Sequence, residues 1–259
     1  MSESSEQARV TARDVFTQSL EPKLQSHPKR IVFTDGADER ILRVAARMVE
    51  TEVGIPILLG NRQEIRQLAG DLKISLDFVK VLEPSSAADY EVFCEFLRRT
   101  EHVRGFEISN VEEILRQPAY FGAMMIQYGQ ADGLVGGNQS YPAAIFRALL
   151  HLVKPVPSVP RVFSVAILSA PHLAHFGREG VLFLADCGLN EELSSKQLAA
   201  IAVETGQLTQ LRESLGLSNA PRELCLGRTC VKDVLRHDGL QKALKITEAK
   251  LIEHQLVGC

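Results

Sequence analysis

Between Leu134 and Leu149 the chain reads LVGGNQSYPAAIFRAL. Gly136 and Gly137 lack a Cβ, so the backbone there can approach a ligand closely and aim N–H groups at an anion beside a helix start. Asn138, Ser140 and Tyr141 add polar side chains to the same turn. Arg147 lies in the second to third turn of the following helix, where a guanidinium can grip a phosphate through two parallel bonds. Three assignments stay open for this turn: a phosphate group, a nucleotide, or a tight chain reversal with no ligand. A second stretch, LADCGLN, offers Asp186 as a carboxylate to orient a ligand and Cys187 as a small core filler.

Other chemistries lack their residues. The glycine turn is not GxGxxG, and there is no Walker motif, GxSxG elbow or HExxH helix. Five cysteines stand far apart with no CxxC pair, which argues for reduced thiols and against structural zinc. Lys and Arg total 29 against 32 Asp and Glu, so no basic excess favours nucleic acid. No apolar run approaches the roughly 18 residues that span a bilayer. The opening MSESSEQARVTARD carries no secretory apolar region, making the cytoplasm the expected compartment.

The elements that must position these residues alternate. RIVF is a strand from Arg30 to Phe33, and DERILRVAARMVE is a helix with Ile41, Val44, Ala45 and Met48 on one face. IPILLG is a second strand. A helix follows it with Asn61 as N-cap, Glu64 three residues on, and Gly70 as its stop. VKVLEP, ADGLVGG, VFSVAIL and GVLFLADCG continue the strands, with helices between most of them and a break before Pro118. No confident strand is visible after the long helix that begins near Ser195.

Strand–helix alternation predicts an α/β fold of two lobes, each a parallel or mixed sheet flanked by helices. The proline-rich KPVPSVPR divides them. The expected division is a polar N-terminal segment over 1–27, a first lobe over 28–153, a reduced second lobe over 154–222, and a C-terminal helical segment over 223–259 that returns to the first lobe. Ligands of open α/β sheets bind outside the carboxyl ends of the strands. The loops FTDGADER, LVGGNQSYP and LADCGLNEE all lie at such ends.

In their order, RIVFTDGADERILRVAA, LRQPAYFGAMMIQYGQADGLVGG, SYPAAIFRALLHLV and GVLFLADCGLNEELSSKQLAAIAVETG resemble the phosphate acetyl/butyryltransferase family, which also occurs as the C-terminal domain of bifunctional-type malic enzymes. The resemblance implies a phosphotransacetylase or isocitrate-dehydrogenase-like fold. It implies acyl transfer between coenzyme A and phosphate, acetyl first, by direct attack of the CoA thiolate on an arginine-bound acyl phosphate. Coenzyme A is then a substrate, no cofactor or metal takes part, and the protein is a homodimer.

By the same resemblance Arg147 matches the arginine after the glycine turn, and Arg98 or Arg99 matches another, with Arg99 assigned to substrate. Gly136, Gly137, Asn138, Ser140, Tyr141 and Asp186 line the substrate site. LGRTCVKD resembles the family's final motif, making Arg228 the second catalytic arginine and Asp233 the base. Gly227 replaces the family serine there, and much of the preceding segment is missing. That leaves two readings of the tail: a deletion within the second lobe, or an unrelated segment after about Leu217. The alternative function is a catalytically silent module of the same fold that binds acyl-CoA or phosphate.

Overall fold

The computed structural model describes residues 15–104, 110–153, 162–169, 181–190, 192–214, 223–226 and 250–251. They fall into two compact units, Glu21–Lys154 and a second made of Met1–Leu20 with Pro155–Cys259.

The first unit is built on a four-stranded, all-parallel sheet in the order β3-β2-β1-β4. Its strands are β1 (Lys29–Phe33), β2 (Gly54–Leu59), β3 (Lys80–Leu82) and β4 (Gly133–Val135). Parallel neighbours need crossovers, and helices supply them. They are α2 (Glu39–Glu50), α3 (Arg62–Asp71), α4 (Tyr90–Arg104), α5 (Val111–Leu115) and α6 (Pro118–Gln127). A leading helix α1 (Val15–Ser26) precedes β1, and α7 (Pro142–Leu152) follows β4.

Side chains alternate between the faces of the sheet. Phe33 and Leu58 pack with Ile41, Leu42 and Ala45 of α2 and with Ile65 and Ala69 of α3. Val32, Ile57 and Leu59 point the other way, into Phe93, Leu97, Leu115, Phe121, Met124 and Leu152. At Val32–Phe33 and Ile57–Leu59 both faces are therefore buried, which is why these two central strands carry continuous apolar runs there.

Three helices of this unit end alike. After α2, Glu52 donates its N–H to Val49 O and Val53 to Met48 O; after α3, Lys73 donates to Gly70 O and Ile74 to Ala69 O. After α6, Gly129 and Gln130 make the equivalent pair to Ile126 and Met125. The left-handed residue in each closure is Glu52, Lys73 or Gly129, with φ of 56°, 54° and 66°. The expected stop at Gly70 is therefore corrected: Gly70 stays helical, and a lysine three residues later takes the left-handed turn because the two bonds it closes outweigh its strain. Asn61 caps α3 as expected, accepting from the N–H groups of Gln63 and Glu64 at 2.9 and 3.0 Å.

The second unit holds a mixed sheet, β5-β6-β7-β8, with β5 (Val165–Ser169) antiparallel to β6 (Val181–Ala185). Helix α8 (Ser195–Ser214) lays Leu198, Ala199, Ile201 and Ala202 against Ala185. The sequence offers no strand beyond this helix, yet β7 (Glu223–Leu226) pairs parallel with β6, and β8 (Lys250–Leu251) with β7. Segments this short carry little periodicity of their own, and the edge of β6 supplies the partner.

Candidate functional site

The chain starts mid-sheet at β1, runs outward through β2 and β3, then returns to the other side at β4. Strand order therefore reverses between β1 and β4, and the carboxyl ends at such a reversal are where open α/β sheets bind their ligands. Two loops meet at this point. Thr34 to Asp38 leaves β1, and Gly136 to Tyr141 leaves β4.

Each glycine of the second loop has a physical cause. A Cβ on Gly136 would lie 2.4 Å from Thr34 Oγ1 and 2.8 Å from Ile145 Cδ1, so this residue lets the two strand ends close together. Gly137 has φ +91°, a backbone conformation that favours glycine. The loop is then held by carboxylates. The Asn138 N–H donates to Asp35 Oδ2 at 2.9 Å, and Gln139 Nε2 donates to Asp38 Oδ2 at 3.0 Å. Asp38 also caps α2, accepting from the Arg40 N–H at 2.8 Å, and chelates the Arg40 guanidinium through Nε and Nη2 at 3.1 and 2.9 Å.

Asp38 is 5% exposed, and these donors hold its carboxyl far below the usual carboxylate range, the Arg40 guanidinium contributing most. Arg40 stays largely in solvent and reaches Asn138 O at 3.4 Å. Two polar atoms here, Asn138 Nδ2 and Ser140 Oγ, are buried with no hydrogen-bond partner among the described residues. Unpaired buried donors are costly, and these two are suited to an acceptor that enters at this loop. Tyr141 stands 87% exposed at the rim. Arg147 is exposed on α7, about 8 Å along the axis from its start at 1.5 Å per residue. Its charge acts on Tyr120, whose phenol burial pushes up and which shares a hydrogen bond with His151 Nδ1 at 3.0 Å.

The expected residues thus separate. Gly136, Gly137, Asn138, Ser140, Tyr141 and Arg147 belong to one loop–helix unit at the switch point. Arg99 sits on the solvent side of α4, its Nε donating to Glu95 one turn back at 2.8 Å. Asp186 ends β6 in the second unit, at φ 52°. Its carboxylate accepts from Asn190 Nδ2 at 2.9 Å and from the Ser164 N–H at 3.4 Å. Cys187 is exposed and not a core filler, because the left-handed turn at Asp186 carries it outward. Arg228 and Asp233 lie outside the described residues.

Asp35, Asp38, Arg40 and Gln139 carry the site's framework, yet residue type alone does not single them out. Their signal is DGADER directly after a buried strand, where Asp38 precedes an amphipathic helix and so marks an N-cap. Among the described residues there is no cluster of His, Cys, Asp and Glu able to hold a metal. No helix among them is long and apolar enough to cross a membrane.

The sequence profile described as Phosphate acetyl/butaryl transferase matches residues 15–217. A phosphate acetyltransferase of Thermoanaerobacterium thermosaccharolyticum is 32% identical over 188 residues, covering 73% of this chain and 56% of the relative. One from Nitratidesulfovibrio vulgaris is 29% identical over 204 residues, 79% of this chain and 28% of the relative. Among solved structures, a phosphotransacetylase from Streptococcus pyogenes superposes with a TM-score of 0.69 at 27% identity, covering 82% of this chain and 60% of that one. The EutD phosphotransacetylase from Staphylococcus aureus gives 0.66 at 25%, covering 89% and 67%. The chain spans about half the length of the Thermoanaerobacterium relative and less than a third of the Nitratidesulfovibrio one.

Proposed function

Because this chain belongs to the phosphate acetyl/butyryltransferase family, we propose that it exchanges an acyl group, acetyl first, between coenzyme A and inorganic phosphate. What supports the proposal is the switch point between β1 and β4, where Asn138 Nδ2 and Ser140 Oγ are buried without partners among the described residues, and Arg147, on the helix that follows this loop, is assigned to the phosphate. An acyl phosphate seated there offers oxygens to those donors, and the guanidinium offsets its charge. The coenzyme A thiol loses its proton to a base, assigned to Asp233. The thiolate attacks the acyl carbon, the new C–S bond forms, the C–O bond to phosphorus breaks, and phosphate departs on Arg147 and Arg228. Arg99 and Asp186, in this reading, are substrate-binding residues. Coenzyme A is a substrate, no cofactor is needed, and the protein works as a cytoplasmic homodimer.

The test is thioester formation from acetyl phosphate and coenzyme A. Arg147→Ala lowers kcat/KM by about 100-fold or more, the scale for removing one preorganised charge-stabilising donor. Turnover unchanged in this variant would remove Arg147 from the site. A second reading, a silent binding module, is favoured by Gly227 standing where the family has a serine and by the shortened segment before it. A folded wild type that gains thermal stability with acetyl-CoA yet forms no thioester would select it.

A further inference from the structure

We infer that Asp38 is a positioning residue of this site, a buried carboxylate that latches the glycine loop to the end of β1; the inference rests on the function proposed above. A helix cap needs one accepting oxygen, which Asn or Ser would also provide. Asp38 makes three further bonds that capping does not require. Two come from the Arg40 guanidinium, and the third from Gln139, which is 101 residues away in the chain. Only a carboxylate offers two oxygens that accept from all four donors at once.

The bond from Gln139 closes the loop at the residue before Ser140, whose buried hydroxyl has no partner among the described residues. Asp35 grips the preceding residue through the Asn138 N–H. Two consecutive loop residues are thus clamped by two carboxylates of the β1–α2 loop. What they hold still is the segment carrying Asn138 Nδ2 and Ser140 Oγ. Freed from Asp38, this segment samples conformations in which those donors no longer converge. Affinity for the phosphate-bearing substrate then falls by the fraction of molecules that remain competent.

The experiment compares wild type, Asp38→Asn, Gln139→Leu, and the exchange Asp38→Asn with Gln139→Glu. In Asp38→Asn the side-chain oxygen still caps α2, but the new amide nitrogen faces the Gln139 and Arg40 donors. In the double exchange that amide donates to the carboxylate introduced on the loop, so the hydrogen bond returns with reversed polarity and the net charge is unchanged. Each single variant is expected to raise KM for acetyl phosphate about tenfold with kcat within about twofold, the loss expected for one charge-assisted hydrogen bond. The double exchange is expected to recover most of that. Hydrogen–deuterium exchange over residues 134–141 is expected to quicken in both singles and slow again in the double. Unchanged KM, a loss confined to kcat, or no recovery in the double overturns the latch. If the wild type shows no turnover, the proposed function fails and the effect of Asp38 on turnover fails with it. Unchanged loop exchange would then overturn the latch as well.

Discussion

Gly136→Ala puts the closeness of the two strand ends to a direct test. The new Cβ would stand 2.4 Å from Thr34 Oγ1, where ordinary contact begins at 3.4 Å, so one group must retreat by about 1 Å. Ile145 Cδ1, at 2.8 Å, is the end of a flexible side chain but is itself buried. Thr34 is buried and β-branched, and its hydroxyl hydrogen-bonds Asp35 at 3.4 Å. Turning it relieves the contact only by giving up that bond. Moving the backbone instead strains the bond from Thr34 N–H to Val135 O at 3.0 Å. Overpacking costs about 1–3 kcal/mol and a lost hydrogen bond about 1, so the variant is expected to lose about 2–4 kcal/mol. That corresponds to about 5–15 °C in a thermal melt followed by circular dichroism. Gly70→Ala is the matched control. Its Cβ meets nothing within 4 Å inside α3, and it is expected to gain about 0.5–1 kcal/mol. A Gly136→Ala melt within about 1 °C of wild type would refute the apposition of β1 and β4 as the reason for glycine here.

Lys73→Gly relieves a left-handed lysine and is expected to stabilise by about 0.5–1 kcal/mol in urea titration, with Glu52→Gly behaving alike. Phe121→Ala removes a ring that is 1% exposed and packed 5.2 Å from Phe93, at about 3–5 kcal/mol measured the same way. Acid stability depends on Asp132, whose carboxylate takes Arg30 Nε and Nη2 and whose pKa is lowered from 3.8 to about 2. The unfolded chain therefore takes up the proton first as pH falls. Stability from this pair is full above about pH 4 and drains away toward pH 2, and Asp132→Asn is expected to lower stability at pH 7 and flatten that acid slope.

Much of the first unit is legible in the sequence because its signals are local. The runs RIVF and IPILLG carry Val32, Phe33 and Ile57–Leu59 buried on both faces, so their apolar character survives inspection without coordinates. The asparagine cap of α3 is readable because capping lies within a few residues of chain. The stop of α3 falls beyond Gly70, where the sequence places it, because a left-handed lysine carries no compositional mark. β7 and β8 escape a sequence reading for a related reason, since their pairing energy comes from a neighbour far along the chain.

The candidate site divides in the same way. By itself, the sequence determined the α/β class with parallel or mixed sheets, the glycine turn and the arginine of the helix behind it. Residue type and order carry those features, and they need no partner to be recognised. Only the tertiary structure decided that β1 and β4 are neighbours, and hence that Asp38 meets Gln139 and Asp35 meets Asn138. Those contacts join residues about a hundred positions apart. They form through strand order, which the sheet settles by burying its faces as a whole, and no local window of sequence records it.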